Sequence, residues 1–173
     1  MTDRVKSKYK FLGGFGLLVA LNLIILFGIL LLATSSKISL DKISLLNDKS
    51  ALIAYAMLLV ILLLFILLLV TQCERIIIEE NGITFINPLF PFIRRTKQWN
   101  HFDYYITVDE DSRYSTYEAI WLVKNSKINE RISSFYYMNY SDILSQVKVQ
   151  GKGKKYFNPI IQLLSLLRLK RIK

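Results

Sequence analysis

The sequence predicts a membrane α + β protein: a two-helix transmembrane hairpin, then a small antiparallel β-sheet or barrel capped by a C-terminal helix. Three observations carry this. Residues 11–33 and 51–70 contain no charged side chain and are dominated by Leu, Ile and Val. Alternating β-rich runs start as soon as the second apolar run ends. The hydrophobic period then changes from two to that of a helix near Asn139–Ser141.

Each apolar run, at ~1.5 Å per residue, is long enough for the ~30 Å hydrocarbon core. Neither could be buried all round by so short a chain. The first run is also too long for the apolar region of a signal peptide, which covers ~7–15 residues. Its Gly16 and Ala20 stand four apart and predict close helix packing, against the second span or in a homodimer. Asn22 falls near mid-membrane, where its amide is expected to bond across to another helix.

The net charge of +10 belongs to the two ends of the chain. Arg4, Lys6, Lys8 and Lys10 precede the first span. Lys148, Lys152, Lys154, Lys155, Arg168, Lys170, Arg171 and Lys173 crowd the last stretch, which has no acid. Residues 74–147 hold eight basic and ten acidic side chains. Basic tails suit anionic lipid headgroups and do not point to nucleic acid. Lys and Arg at the span ends place both termini in the cytoplasm of an inner membrane, with residues 34–50 outside. The expected division is a basic N-terminus (1–10), spans at 11–33 and 51–73, a cytoplasmic domain (74–149), and a basic linker with an amphipathic tail helix (150–173). Cys73 is the sole cysteine, so no internal disulfide can form.

In the cytoplasmic domain, Arg75–Glu80 and Ile83–Asn87 flank Asn81-Gly82, a hairpin signal whose two turn positions are expected at positive φ. Pro88 and Pro91 end that pairing. Ile93–Gln98 and His101–Val108 follow as strands, with Tyr104, Ile106 and Val108 on one face. Asp109–Ser112 reads as a turn. Tyr117–Lys124 has apolar residues on both faces and so predicts a central strand; Ile128–Phe135 runs back after Asn125-Ser126-Lys127. A helix capped by Asn139 or Ser141 is expected to reach Val149. Tyr136, Tyr137 and Tyr140 form either a recognition patch for a protein partner or part of the core. Gly151–Lys155 reads as a flexible linker. The tail helix after Pro159 is expected at the membrane surface, with Lys154, Lys155, Arg168, Lys170, Arg171 and Lys173 toward phosphates, or else packed on the domain or a partner.

The order of these elements resembles the bacterial pleckstrin-homology-like domains of small two-span membrane proteins. The carriers are Glu74-Arg75-Ile76-Ile77-Ile78, the Glu80-Asn81-Gly82-Ile83 turn, Trp99 after a basic strand, and Ile132-Ser133-Ser134-Phe135 before the helix start. The resemblance implies a strongly bent sheet capped by a helix. Phosphoinositide-binding relatives use basic residues at the first hairpin; Glu79-Glu80-Asn81-Gly82 is acidic and would repel such headgroups.

No catalytic, cofactor-binding or metal-binding residue is assigned. His101 is the lone histidine, and Asp109, Glu110 and Asp111 lack the spacing of a calcium loop. The expected function is therefore non-enzymatic: an inner-membrane protein whose cytoplasmic module binds another protein as a scaffold. The alternatives are immunity against a secreted toxin, or an accessory role in a membrane enzyme or transport complex.

Overall fold

The computed structural model describes residues 4–38, 49–111, 115–166 and 171–172. Two long apolar helices, α1 (Gly14–Ile38) and α2 (Lys49–Gln72), lead into a β unit. Both are long and apolar enough to cross a membrane, and most of their leucines are exposed. Most of the expected loop, residues 39–48, lies outside the described residues. The helices contact each other, and near the β unit Leu18 of α1 and Leu69 of α2 are buried in one core with Phe65 packed against it.

Packing of the pair differs from one of the two expectations, that of a seam with α2. A Cβ on Gly16 would sit 1.7 Å from the carbonyl oxygen of Phe11, so this glycine admits the chain entering its own helix. Ala20 is exposed. The two do not form the seam with α2. Asn22 Nδ2 donates to the Leu18 carbonyl 2.8 Å away, one turn back in the same helix, not across to another.

The β unit has two four-stranded sheets. The first has the order β1 (Val5–Lys6), β2 (Arg75–Glu79), β3 (Gly82–Ile86), β4 (Arg94–Gln98), all antiparallel. The second has the order β7 (Lys127–Ser133), β6 (Thr116–Lys124), β5 (Tyr104–Asp111), β8 (Gly151–Lys155). In it β8 runs parallel to β5 and the other pairs are antiparallel. Helix α3 (Tyr140–Ser145) follows β7, and α4 (Pro159–Leu166) follows β8.

Two strands correct the sequence expectation. The N-terminus is not a free basic tail: Val5 pairs with Ile78 and Lys6 with Ile77. Nor is Gly151–Lys155 a linker, since it extends the second sheet. Both ends of the helical hairpin thus enter one β unit.

The first hairpin forms, by a different route. Glu79 pairs with Gly82, so the turn residues are Glu80 and Asn81. Neither they nor Gly82 has a positive φ. Gly82 is required because a Cβ there would approach the Lys97 carbonyl oxygen of β4 to 2.4 Å. Trp99 closes this end, donating from Nε1 to the carbonyls of Glu79 and Glu80 at 3.3 and 3.1 Å. The left-handed turn lies between β6 and β7 instead, at Asn125 (φ 51°) and Ser126 (φ 61°). Of the turn expected at Asp109–Ser112, Asp109, Glu110 and Asp111 instead continue β5 opposite Glu118, Tyr117 and Thr116, and Ser112 lies outside the described residues.

The strand β6 is central, and Ala119–Val123 are all fully buried. Ile120 and Leu122 face a core shared with Ile76, Ile78, Ile83, Phe85, Ile143 and the ends of α1 and α2. Ala119, Trp121 and Val123 face a second core with Tyr104, Ile106, Val108 and Ile172. The tail covers that second face: Phe157 stacks on Trp121 at 5.5 Å and Ile172 N donates to the Ser126 carbonyl at 2.7 Å. Helix α3 stops at Ser145, short of Val149; the β-branched Val147 and Val149 pack at a spacing of two against the first core.

Candidate functional site at the helix–sheet junction

Where α2 meets the β unit, β4 and β7 are edge strands of different sheets and leave a solvent-open cleft of about 230 Å³. Thr71, Gln72, Glu74, Arg95, Glu130 and Arg131 line it. Their positions follow from strand parity: alternate residues of β7 turn Glu130 toward β4, and Arg131 toward Glu110 of β5 and the end of α2.

Three cations meet three carboxylates. Arg95 reaches Glu74 at 2.7 Å and Glu130 at 3.5 Å. Lys97 bonds to Glu130 and to the amide oxygen of Asn129. Arg131 grips Glu110 with Nε and Nη2, both at 2.5 Å, and donates from Nη1 to Gln72 Oε1 at 2.6 Å. Ser133 Oγ adds a 2.8 Å bond to Glu110. Such bidentate, charge-assisted bonds are about twice as strong as neutral ones. Burial opposes the charge on Arg131, but the bonds to Glu110 outweigh it and hold the guanidinium above its ordinary range. Burial raises Glu74, with Arg95 offsetting part of the effect.

Of the two alternatives for Tyr136, Tyr137 and Tyr140, a partner patch or part of the core, the structure has the second: all three are buried. Tyr137 Oη donates to the Glu74 carbonyl at 2.5 Å. Arg131 stands 5.6 Å over the Tyr136 ring, and Tyr140 belongs to the first core. Burial raises all three phenols. These rings bind the helix ends to the sheet; they are not a surface for a partner.

Of the basic residues expected at the membrane, Lys154 is half-exposed and pairs with Asp109 at 2.7 Å. Lys155 is partly buried and Arg171 is exposed. Arg168, Lys170 and Lys173 lie outside the described residues. His101 Nδ1 lies 3.0 Å from Lys124 Nζ. Among the described residues, no three His, Cys, Asp or Glu side chains are grouped to hold a metal.

The junction network has no contiguous motif in the sequence. Its members span residues 72–133, and only the fold brings them together; a signal existed in Glu130-Arg131, adjacent opposite charges between Ile128 and Ile132 of one strand. The N-terminal segment completes the junction. Tyr9 Oη donates to the Cys73 carbonyl at 3.0 Å, Lys10 N to Tyr136 at 2.8 Å and Gly14 N to Phe135 at 2.8 Å. A Cβ on Gly14 would fall 2.4 Å from the Phe135 ring, which explains that glycine.

No family model matches this chain, and comparison with curated proteins and with solved structures finds no match.

Proposed function

We propose that this chain is a bacterial inner-membrane protein that holds a pleckstrin-homology-like module at the cytoplasmic face, where the module binds another protein without catalysing a reaction. One observation carries the reading. Segments before α1 and after α2 form a single sheet, which fixes the module directly at the ends of the helical hairpin. A module held this way recognises partners at a set height and orientation.

Membrane insertion is supported by the exposed leucines of both helices, such as Leu23 and Leu63, which water would not tolerate over so large a surface. The pairing of β1 with β2 supports both helix ends lying on one side. The basic residues flanking those ends support the cytoplasmic side. Two runs of antiparallel strands followed by α3 support the pleckstrin-homology-like reading. The binding surface in this account is the far half of β4, at the exposed Thr96 and Gln98, an edge where an added strand would find free backbone groups.

The test compares tagged wild-type protein with Gln98→Pro, which removes an edge-facing N–H at a backbone φ of −72° that proline tolerates, in affinity purification from host membranes in mild detergent. A protein that co-purifies with the wild type and is lost with the folded variant supports the reading. Recovery of this chain alone, or turnover of a substrate by it, contradicts the reading.

A further inference from the structure

The loop between β3 and β4 reads Asn87-Pro-Leu-Phe-Pro-Phe-Ile93, and four of its large apolar side chains are exposed: Leu89 (45%), Phe90 (48%), Phe92 (76%) and Ile93 (48%). A soluble surface seldom gathers such a patch. The loop is nevertheless well built. Asn87 Oδ1 accepts from the backbone N–H groups of Leu89 (2.9 Å) and Phe90 (3.0 Å). Ile93 N donates to the Phe90 carbonyl at 2.8 Å, and Asn87 N to the Ile93 carbonyl at 3.1 Å. The rings of Phe90 and Phe92 lie 5.8 Å apart. These bonds hold the apolar side chains outward in a fixed shape, with the backbone polar groups partly satisfied.

Register fixes where the loop stands. Arg75, three residues beyond the end of α2, pairs with Ile86, and Ile86 pairs with Arg94. The strands therefore return the chain to the level at which α2 ends, and residues 87–93 extend from there. Cross-strand neighbours share a face, so Arg75, Ile86 and Arg94 form one row, with both arginines exposed. An apolar tip beside two exposed cations, at the end of a membrane-length helix, matches the layered chemistry of a bilayer boundary: acyl chains, then anionic phosphates.

We infer that the β3–β4 loop inserts into the interfacial layer of the bilayer that α1 and α2 cross, with Phe90 and Phe92 among the upper acyl chains and Arg75 and Arg94 at the headgroups. The occupant of this apolar patch is lipid, by continuity with the lipid-facing surface of α2. The inference rests on the membrane-spanning reading of the helices. It adds a third point of attachment, which sets the tilt of the β unit and turns its outer face to the cytoplasm.

The test uses the full chain reconstituted in phosphatidylcholine–phosphatidylglycerol vesicles. Single cysteines are introduced at Phe92, at Gln98 on the far end of β4, and at Leu63 on the exposed face of α2. Each is labelled with an environment-sensitive fluorophore, Cys73 being fully buried. Phe90→Cys substitutes if Phe92→Cys does not fold. The inference expects quenching at Phe92 by lipids carrying a quencher near the headgroup. Leu63 is quenched by lipids carrying it near the bilayer centre, and Gln98 only by aqueous iodide. Quenching at Leu63 with Phe92 open to iodide overturns the inference and leaves the spans standing. A label at Phe92 shielded from both iodide and lipid quenchers means a protein covers the loop, and also overturns it. Loss of quenching at Leu63 overturns the spanning reading and the inference with it.

Discussion

The two ends of this chain are both basic, and both are built into sheets, but they do different things. At the N-terminus, Val5-Lys6 adds an antiparallel strand, and the following residues are fixed on both sides. Ser7 N donates to the Ile76 carbonyl and Ser7 Oγ accepts from Ile76 N, both at 2.8 Å. Asn139 accepts from Lys8 N at 2.7 Å and donates to the Lys6 carbonyl at 2.9 Å. At the C-terminus, β8 adds a parallel edge strand whose side chains are nearly all exposed. Its hold on the β unit comes from Phe157 and Ile172, which cover a face of the second sheet. The N-terminal segment closes the junction between helices and sheet. The C-terminal segment is a cover laid over a core that other strands already define. Similar composition thus says little about role; the position of the few apolar and hydroxyl side chains among the lysines decides it.

The comparison can be broken most sharply by deletion. Removing residues 1–10 takes away β1 and the bonds to Ile76, Cys73, Tyr136 and Asn139. The β unit is expected to be lost, seen as aggregation on size exclusion in detergent and loss of strand signal in circular dichroism. A monodisperse, folded product would place the N-terminus with the C-terminus as a mere cover.

The next effect lies at the junction itself. Glu110→Gln leaves Arg131 without its carboxylate in a half-buried site. About 3 kcal/mol of stability should be lost, measured by denaturant unfolding in detergent. Phe157→Ala on the tail side removes a partly buried ring stacked on Trp121, and about 1–2 kcal/mol is expected. Tryptophan emission should move to longer wavelength as Trp121 gains water. Lys154→Ala should be smallest, leaving the unfolding midpoint where it was, because its pair with Asp109 is solvent-screened. Neighbouring carboxylates on β5 thus repeat the contrast: Glu110 serves the junction, Asp109 the cover.

Much of the architecture was legible. Two uncharged runs gave the helices, Asn81-Gly82 gave the first hairpin, and the double-sided apolar pattern of Tyr117–Lys124 gave the central strand. The strand β1 left a trace that charge obscured: Val5, Ser7 and Tyr9 are the inward residues, and Lys6, Lys8 and Lys10 alternate with them. A two-residue strand is too short to register as a period, and its partner lies some seventy residues away. Gly151–Lys155 has no apolar residue, so only backbone pairing with β5 reveals it. The tyrosines before α3 left patch and core both open because their partners are non-local; Tyr137 meets a carbonyl 63 residues distant. The hairpin was legible but its turn is Glu80-Asn81, one residue before the expected pair; Gly82 belongs to β3, and its need for no side chain comes from β4, which local turn preference does not show.

The central claim is that one sheet joins the segment before α1 to the segment after α2. Because Ser7 and Ile76 form a hydrogen-bonded pair, Lys6 and Ile77 form the adjacent non-bonded pair, with Cα atoms ~4.5 Å apart. That spacing suits a disulfide. In native membranes, Lys6→Cys with Ile77→Cys should cross-link within one chain under mild oxidation, while Lys6→Cys with Thr84→Cys, one strand further, should not. Failure of the first pair to cross-link, with both cysteines open to maleimide, would contradict the account.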